Sequence, residues 1–390
     1  MPTTVQPSFV VRRVLGNALN PSYLRPALIL LLAILLFAGL YPFNFFPTNQ
    51  VSWVHRRGLG FRGYGEVRGQ WNSPPVSSAD STGDSAGITI ELWVTCWQDG
   101  PKISDLVSVY QSPDREPFAI EQSSADLVVA GVVRNLQGQR ISRHLTIDDS
   151  LHTGNRRFIT IASHRSGTVL YLEGEPQKTY PGLELEPQNL AGTVLLGQTP
   201  NGHQEWRGDI RGLAIYSRML DADEVATNYS AWRQGNLPEL QTRAPKFAIY
   251  PFDEGSGTVV HDQGNLSGDL TIPRSLTALN PTVLAVPTRR NFTDVSDVSL
   301  NIFGFIPFGV LLTLYWKSKG WTNNKAVLVA VASGLTVSLV IELLQVFLPS
   351  RDSSLLDVVN NTLGTGLGAG LGVVAWLWLA SKRRASFGHR

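Results

Sequence analysis

Three segments of this 390-residue chain contain lysine and arginine but no acidic residue, and each borders a long apolar run. Their basic residues are Arg12, Arg13 and Arg25 in the N-terminal arm, Lys317, Lys319 and Lys325 in a central connection, and Lys382, Arg383, Arg384 and Arg390 in the C-terminal tail. In contrast, 28 of the 31 acidic residues lie between Glu66 and Asp297. This is the positive-inside pattern of a protein that crosses a membrane several times.

Four apolar runs have the length of about 20 residues that a helix needs to cross the hydrocarbon core of a bilayer. They are residues 27–46, 300–316, 326–348 and 355–380. An even number of crossings returns the chain to its starting side, so all three basic segments can face the cytoplasm. We therefore predict an all-α bundle of four transmembrane helices in the cytoplasmic (inner) membrane, with both termini inside and the acidic stretch outside.

This topology divides the chain into five successive parts. The parts are a cytoplasmic arm at 1–25, a first transmembrane helix at 26–46, an extracytoplasmic domain at 48–297, a helical region at 298–380 with spans at about 299–316, 326–348 and 355–380, and a cytoplasmic tail at 381–390.

A cleaved secretory signal is the alternative for the first run, because a basic region precedes an apolar one there. No small-x-small cleavage site follows the run, and the residues around Arg12 and Arg13 match a twin-arginine export signal poorly. The run ends instead in the aromatic residues of 41–46, which are typical of a membrane interface. We therefore expect a retained anchor.

The stretch outside the membrane has its own composition. From Pro47 to Asp297 it has 22 lysines and arginines against 28 acidic residues, a balance of −6, which argues against binding to nucleic acid. Its only cysteine is Cys96, so it cannot contain an internal disulfide. At about 250 residues, the stretch is long enough to bury a full core without one.

The pattern of the outer stretch is that of an all-β domain. Residues 88–97 alternate apolar side chains on one face with Thr89, Glu91 and others on the opposite face, which predicts a strand. Further short β-rich segments, separated by turn residues, are 126–133, 157–162, 168–172, 193–196, 210–216 and 246–252. One helix is predicted at 222–232, because Asp221 and Glu224 have the spacing of a capping box.

Residues 89–94, 169–174 and 208–220, together with Glu224, resemble the concanavalin A-like, laminin-G type family of lectins and glucanases. The resemblance covers most of 53–273 and implies a jelly-roll sandwich, inserted here between the first and second spans, that binds carbohydrate. Residues 252–257 with Asp262 resemble the segment that usually opens such domains, yet they come last. This order indicates a circular permutation, which sandwiches tolerate because their termini lie close together.

Hydrolysis of glycans would need two suitably spaced carboxylates. The Glu-x-Asp-x-x-Glu motif of the related glucanases is absent, so we expect no glycosidase activity and no catalytic residue. Trp71, Tyr180 and Trp206 could stack on sugar rings, but core packing is the favoured role for each. Asp253 or Asp262 could bind calcium, although nothing distinguishes them from turn aspartates. We therefore predict no metal site and no cofactor.

The helical segments resemble a second family. Residues 297–309, 341–351 and 357–364, with Tyr41-Pro42-Phe43 after the first span, closely resemble the VanZ-like family and occur in the same order. This family is named for a protein linked to glycopeptide (teicoplanin) resistance. The resemblance implies a membrane protein and leaves its molecular activity open.

Polar residues cluster at one end of the expected bundle. Glu342, Gln345 and Ser338 share one face of the third span, whereas Asp357 and Asn361 share a face of the fourth. With the topology above, all of them lie at the outer leaflet, beneath the β domain. The predicted ligand-binding set is Asn301, Glu342, Gln345, Arg351, Asp357 and Asn361. A carboxylate within a span is costly unless it is paired, so we expect Glu342 to pair with Arg351.

A structural role for the same residues is a serious alternative. Ser354 and Asp357 have the spacing of a capping box, Asn301 could satisfy backbone groups freed by Pro307, and Glu342 with Arg351 could lock the bundle. Proton-coupled transport is a third interpretation. On the fourth span, Gly364, Gly368 and Gly372 recur every four residues, which predicts close contact with another span or with a second copy of the protein.

The sequence thus favours a non-enzymatic membrane protein that displays a lectin-like domain on its outer face. Its expected partners are the lipid bilayer and a cell-envelope glycan or glycolipid, with homo-oligomerisation through the glycine stripe as a further option. The competing hypothesis is a transporter or lipid-modifying enzyme that works at Glu342, Arg351 and Asp357.

Overall fold

The computed structural model describes residues 21–55, 57–72, 87–98, 100–112, 117–135, 137–202, 206–235, 246–264, 268–286 and 295–387. The basic residues Arg12, Arg13 and Arg390 lie outside these ranges. The chain divides into two compact units. We call Met1–Phe45 with Thr282–Arg390 the helical unit and Phe46–Pro281 the β domain.

The β domain contains seventeen described strands. They are β1 Val51–Trp53, β2 Leu59–Arg62, β3 Val67–Trp71, β4 Gly87–Cys96, β5 Gly100–Tyr110, β6 Phe118–Ser124, β7 Asp126–Arg134, β8 Arg140–Ile147, β9 Arg156–His164, β10 Gly167–Leu172, β11 Glu175–Pro181, β12 Glu184–Leu185, β13 Gly192–Leu196, β14 Arg207–Tyr216, β15 Lys246–Tyr250, β16 Val259–Val260 and β17 Leu270–Thr271. A 3-10 turn at Pro187–Leu190 precedes β13.

Two antiparallel sheets form a sandwich, as predicted. The first has the order β1-β2-β14-β4-β9-β10-β11, with β15 also paired to β14. The second has the order β12-β7-β6-β5-β13-β3-β17-β16, with β8 also paired to β7. The apolar residues of β4 at positions 88, 90, 92, 94 and 96 are buried in the core between the sheets, which confirms the predicted alternation.

The opposite face of β4 is covered by a helix. This helix, α2 at Ala222–Gln234, begins with the predicted capping box, in which the Asp221 side chain accepts from the Glu224 backbone and the Glu224 side chain accepts from the Asp221 backbone. Its buried residues form a second apolar cluster with the sheet. Glu91 of β4 is completely buried beneath it. Its carboxylate accepts hydrogen bonds from Asn228 at 2.8 Å, Trp232 at 2.8 Å and Tyr216 at 3.0 Å.

The first and last residues of the β domain run side by side. The backbone N–H of Asn49 donates to the carbonyl of Arg274 at 3.0 Å, and that of Leu276 donates to Pro47 at 3.0 Å. A bridge between Thr48 and Ser275 joins the same two segments. Adjacent termini are what an inserted domain requires, because both ends must connect to neighbouring helices.

The described part of the helical unit has four long helices. They are α1 Pro21–Leu40, α3 Val295–Ser318, α4 Asn323–Gln345 and α5 Leu355–Phe387. Each is long and apolar enough to cross a membrane. The β domain lies between α1 and α3 in the chain.

The ends of these helices differ from the sequence-based bounds. The predicted first span of 26–46 is shifted, because α1 begins at Pro21 and ends at Leu40. Pro42 disfavours a helical conformation of the residue before it, which is consistent with the end of α1 just before this position. The helix α4 ends at Gln345 rather than at residue 348, whereas α5 begins at Leu355 as predicted.

The glycine stripe of α5 packs against α3 of the same chain. A methyl group added at Gly364 would overlap the carbonyl oxygen of Ile302, and one at Gly368 would overlap that of Ile306. At Gly372, an added methyl group would lie 2.9 Å from Thr313. The close contact with another span is therefore confirmed. Because the stripe is occupied within the chain, a homo-oligomer would need a different face from the predicted one.

Candidate functional site

The buried carboxylate of Glu342 lies near the end of α4, and its residue is only 2 % exposed. Its Oε2 atom accepts a hydrogen bond of 2.7 Å from the backbone N–H of Ser354. Ser354 directly precedes α5, and the first N–H groups of a helix have no partner inside the helix. Glu342 therefore caps the start of the next helix by accepting one of these hydrogen bonds.

The predicted partner Arg351 lies close enough to Glu342 to interact with it electrostatically, but the hydrogen bond to the carboxylate comes from Ser354. Arg351 is exposed, and its guanidinium donates to the carbonyl oxygen of Tyr41 at 3.3 Å from Nε and 3.2 Å from Nη2. The predicted capping box of Ser354 and Asp357 is also replaced, because Ser354 gives its backbone N–H to Glu342. The direct hydrogen bond to the Glu342 carboxylate is thus donated by the backbone, and Arg351 contributes only its charge.

Gln345 connects α4 to the end of α1. Its Nε2 atom donates to the carbonyl oxygen of Gly39 at 2.8 Å. Gly39 itself packs against Ile341, whose Cγ2 atom would lie 2.7 Å from an added methyl group. The contacts of Gln345 and Arg351 together hold the end of α1 at the same end of the helical unit as Glu342.

Asn361 lies deeper between α4 and α5. It is 4 % exposed, and its Nδ2 atom donates to the hydroxyl of Ser338 at 2.9 Å. Its backbone carbonyl accepts from the Thr365 hydroxyl at 2.9 Å. The Asn361 Oδ1 atom is buried without a hydrogen-bond partner, as is the Nδ2 atom of the neighbouring Asn360. Such unpaired buried groups are rare, so each needs an explanation.

Asp357 and Asn301 join the start of α5 to the start of α3. The Asp357 carboxylate lies within hydrogen-bonding reach of the Asn301 side chain and close enough to Asp297 to interact electrostatically. Asn301 therefore contacts the first turn of α5 through Asp357. The six predicted site residues thus fall at one end of the helical unit, where Glu342 is also close enough to Asp357 and Arg351 to interact with both electrostatically.

The structure adds residues that the sequence did not single out. Ser353 is fully buried and accepts a hydrogen bond of 3.1 Å from the backbone N–H of Leu284. Ala285 forms a parallel bridge with Ser354. These residues are brought together by a contact between two loops that are far apart in the sequence. Helical periodicity gives no information about such a contact. Among the described residues, no group of three or more His, Cys, Asp or Glu side chains could hold a metal ion.

The aromatic residues considered for sugar stacking in the β domain have structural roles. Trp71 and Trp206 are buried, and their indole N–H groups donate to Tyr250 and Gln122, each at 3.0 Å. The Tyr180 hydroxyl bonds to both backbone groups of Thr146. Asp262 accepts from the backbone N–H groups of Ile249 and Gly264, as a turn aspartate does.

Two carboxylates occupy paired positions on the outer face of the second sheet. Asp105 of β5 lies opposite Glu121 of β6, and the adjacent Ile120 points into the core. The Glu121 Oε2 atom is buried without a hydrogen-bond partner, and burial raises the pKa of this carboxyl. The sequence could not reveal this pair, because residues on neighbouring strands have no fixed spacing.

Comparisons with known proteins agree with this architecture. The family model VanZ/LLP1 matches residues 245–378, and the model for the concanavalin A-like lectin/glucanases superfamily matches residues 70–226. The chain joins a VanZ-like region to a concanavalin A-like domain. No curated protein matches the sequence significantly.

Several solved structures are similar to part of the chain. The binding domain of botulinum neurotoxin DC, in complex with rat synaptotagmin II, is 17% identical over 47% of this chain and 46% of that chain, with a TM-score of 0.36. The ligand-binding domain of botulinum neurotoxin serotype D, in complex with N-acetylneuraminic acid, is 12% identical over 47% and 45%, with a TM-score of 0.34. A SAP-like pentraxin from Limulus polyphemus is 16% identical over 45% and 83%, with a TM-score of 0.34. The chain thus spans less than half the length of the two toxin chains.

Proposed function

We propose that this protein resides in the cytoplasmic membrane and displays its concanavalin A-like domain on the outer face, where the domain binds a cell-envelope glycan or glycolipid. The observation that carries this proposal is the position of the two connections to the β domain. The end of α1 lies next to Gln345 and Arg351, and the start of α3 lies next to Asp357. Both connections therefore leave the end of the helical unit that carries Glu342, opposite the lysine-rich connection. By the positive-inside rule, that end is extracytoplasmic.

Within the β domain, we infer that the glycan contacts the outer face of the second sheet at Glu121. A buried carboxylate oxygen without a donor is costly, and a sugar hydroxyl would supply the missing hydrogen bond. A lectin recognises a glycan through such hydrogen bonds and does not cleave it. The proposal is therefore one of binding, without catalysis.

Within the helical unit, we infer that the end carrying Glu342 helps to bind a lipid-linked headgroup. Asn301, Glu342, Gln345, Arg351, Asp357 and Asn361 would form this site. The unpaired amide atoms of Asn360 and Asn361 support it, because a polar headgroup could satisfy them. Glu342 and Gln345 contribute by fixing the ends of α1 and α5.

Retention of the detergent-solubilised full chain on peptidoglycan and on a glycan array tests the binding half of this proposal. We expect retention well above that of a heat-denatured sample. Replacement of residues 48–280 by a flexible linker should abolish it. The Glu121→Gln substitution should weaken retention about fivefold or more, since a hydrogen bond to a charged group contributes roughly 1.5–3 kcal/mol. The matched control Glu175→Gln, at an exposed position of β11, should leave it unchanged. Equal retention of the intact chain and the linker variant would refute the proposal.

The same assay with a glycolipid probe separates a headgroup role of Glu342 from a structural one. Glutamine keeps an oxygen that can accept from Ser354 but removes the charge, so Glu342→Gln should preserve folding and weaken glycolipid retention. If the variant instead fails to accumulate in the membrane, while Glu121→Gln accumulates normally, Glu342 is a structural lock of the bundle.

A further inference from the structure

The end of the helical unit opposite Glu342 gathers cations from all four helices. We call this set the basic end. It consists of Arg25 on α1, Lys317 on α3, Lys319 in the turn after α3, Lys325 on α4 and Lys382 on α5.

The structure holds these cations in place against aromatic rings. The Arg25 Nε atom donates to the Tyr315 hydroxyl at 3.1 Å, and its guanidinium lies 5.9 Å from the Tyr315 ring. The Lys319 ammonium lies 5.9 Å from the same ring. Two cations thus share one tyrosine, which brings like charges close together.

A second group of contacts surrounds Trp321, in the connection between α3 and α4. The Lys317 ammonium donates to the Trp321 carbonyl oxygen at 2.8 Å, and the Lys325 ammonium lies 4.2 Å from the Trp321 ring. Lys317 also lies 5.9 Å from the ring of Trp376 on α5. Long side chains that are already held in position lose less conformational entropy when they bind an anion.

No acidic residue of the helical unit balances this charge. In the sequence, its acidic residues are Asp294, Asp297, Glu342, Asp352 and Asp357, all next to the opposite helix ends. The segments 1–40, 310–332 and 372–390 together contain ten lysines and arginines and no aspartate or glutamate. Within the helical unit, the repulsion among these cations is therefore not relieved by the protein itself, and an external anion would lower it.

A buried donor points to the same kind of ligand. Trp316 stacks on Trp321 with 4.0 Å between the ring centroids, and its indole N–H is buried without an acceptor. An oxygen atom from a bound anion would complete this hydrogen bond. The nearby side chains of Leu377 and Trp378 are more than half exposed, so apolar and aromatic surface adjoins the cations.

We propose that the basic end binds the phosphate headgroup of an anionic phospholipid. The cations and the Trp316 N–H supply charge and a donor for the phosphate, and the exposed apolar side chains of α5 accommodate the acyl chains. Basic pockets between transmembrane helices are suited to such headgroups. A free phosphate would use only the polar half of this surface.

Native mass spectrometry of the full chain in a neutral detergent, titrated with phosphatidylglycerol or phosphatidylcholine, tests the proposal. We expect tighter binding of phosphatidylglycerol, with an affinity that falls as salt is added. Lys317→Gln and Lys325→Gln should each weaken it about fivefold, as expected for one cation near an anionic lipid. The control Lys178→Gln removes a lysine that lies 5.6 Å from the Tyr180 ring in the β domain, and it should change nothing.

Three outcomes would overturn the proposal. Equal binding of the two lipids would exclude charge recognition. Wild-type affinity in the double lysine variant would exclude this site. Displacement of phosphatidylglycerol by an equal concentration of inorganic phosphate would show an anion site that does not recognise lipid. If the glutamine variants do not fold, Trp316→Phe keeps a ring to stack on Trp321, removes only the donor, and should weaken phosphatidylglycerol binding by a few fold.

Discussion

Two of the buried glutamates, Glu91 and Glu342, accept hydrogen bonds from neutral donors, whereas the buried Glu66 and Glu186 pair with arginines. Glu91 accepts from three side chains, and Glu342 accepts from a backbone N–H. A neutral donor stabilises a carboxylate without the cost of burying a second charge. The sequence predicted Arg351 as the partner of Glu342, because residue types alone do not identify a backbone N–H that lacks an acceptor.

Glu91 has a measurable consequence for stability. Burial raises the pKa of its carboxyl to about 7, and the hydrogen bonds from Asn228, Trp232 and Tyr216 limit the rise. The unfolded chain has the ordinary value of 4.5. At a pH between these two pKa values, Glu91 is protonated in the folded protein but not in the unfolded chain. The contribution of Glu91 to stability is therefore fully present below pH 4.5 and is lost as the pH rises to about 7.

We accordingly expect Glu91→Gln to flatten this part of the pH profile. Urea unfolding of the solubilised protein, followed by tryptophan fluorescence, gives the free energy of unfolding of both proteins at each pH. The difference, variant minus wild type, should become more positive by up to about 3 kcal/mol between pH 4.5 and pH 7 and then stay constant. Because other carboxyl groups titrate equally in both proteins, parallel profiles would contradict the assignment.

At the level of elements, the tight packing of α5 on α3 depends on single glycines. A side chain at Gly368 has no room beside the Ile306 carbonyl, whereas one at Gly370 would meet nothing within 4 Å. In a membrane, helices associate through such close packing, because apolar side chains gain little by leaving lipid. The two positions lie two residues apart on the same helix, so they form a matched pair.

We expect Gly368→Ala to destabilise the helical unit by about 1–3 kcal/mol, the usual cost of overpacking. Gly370→Ala should be neutral or slightly stabilising, since alanine favours a helix over glycine by up to about 1 kcal/mol. Thermal unfolding in detergent, followed by far-UV circular dichroism, measures both. Equal effects of the two substitutions would show that α3 and α5 do not pack through this face.

How much the sequence predicted also differs between elements. The start of α5, the capping box of α2 and the inner face of β4 followed from local rules, because each depends on a few neighbouring residues. The burial of Glu91 beneath α2 and the pairing of Asp105 with Glu121 depend on contacts between distant segments. No periodicity within one segment carries that information, and the same is true of the Ser354 donor to Glu342.

At the scale of the whole molecule, the two ends of the helical unit differ in charge. The basic end carries lysine and arginine against aromatic rings, and the opposite end carries Glu342, Asp357 and both connections to the β domain. Loops rich in lysine and arginine tend to stay in the cytoplasm during membrane insertion, so we expect the basic end to be cytoplasmic. Every functional proposal for the β domain depends on this orientation.

Fusions of reporters to successive truncation points test the orientation directly. Alkaline phosphatase, active only outside the cytoplasm, should be active after Pro281 and Ser353 and inactive after Trp321 and Arg390. A fluorescent protein that matures only in the cytoplasm should give the reverse pattern. Replacing Lys317, Lys319 and Lys325 by glutamine should lower the fraction of chains with this pattern, because the central connection would lose the charge that retains it. Cytoplasmic fluorescence of the fusion after Pro281 would place the concanavalin A-like domain inside the cell, where no envelope glycan could reach Glu121.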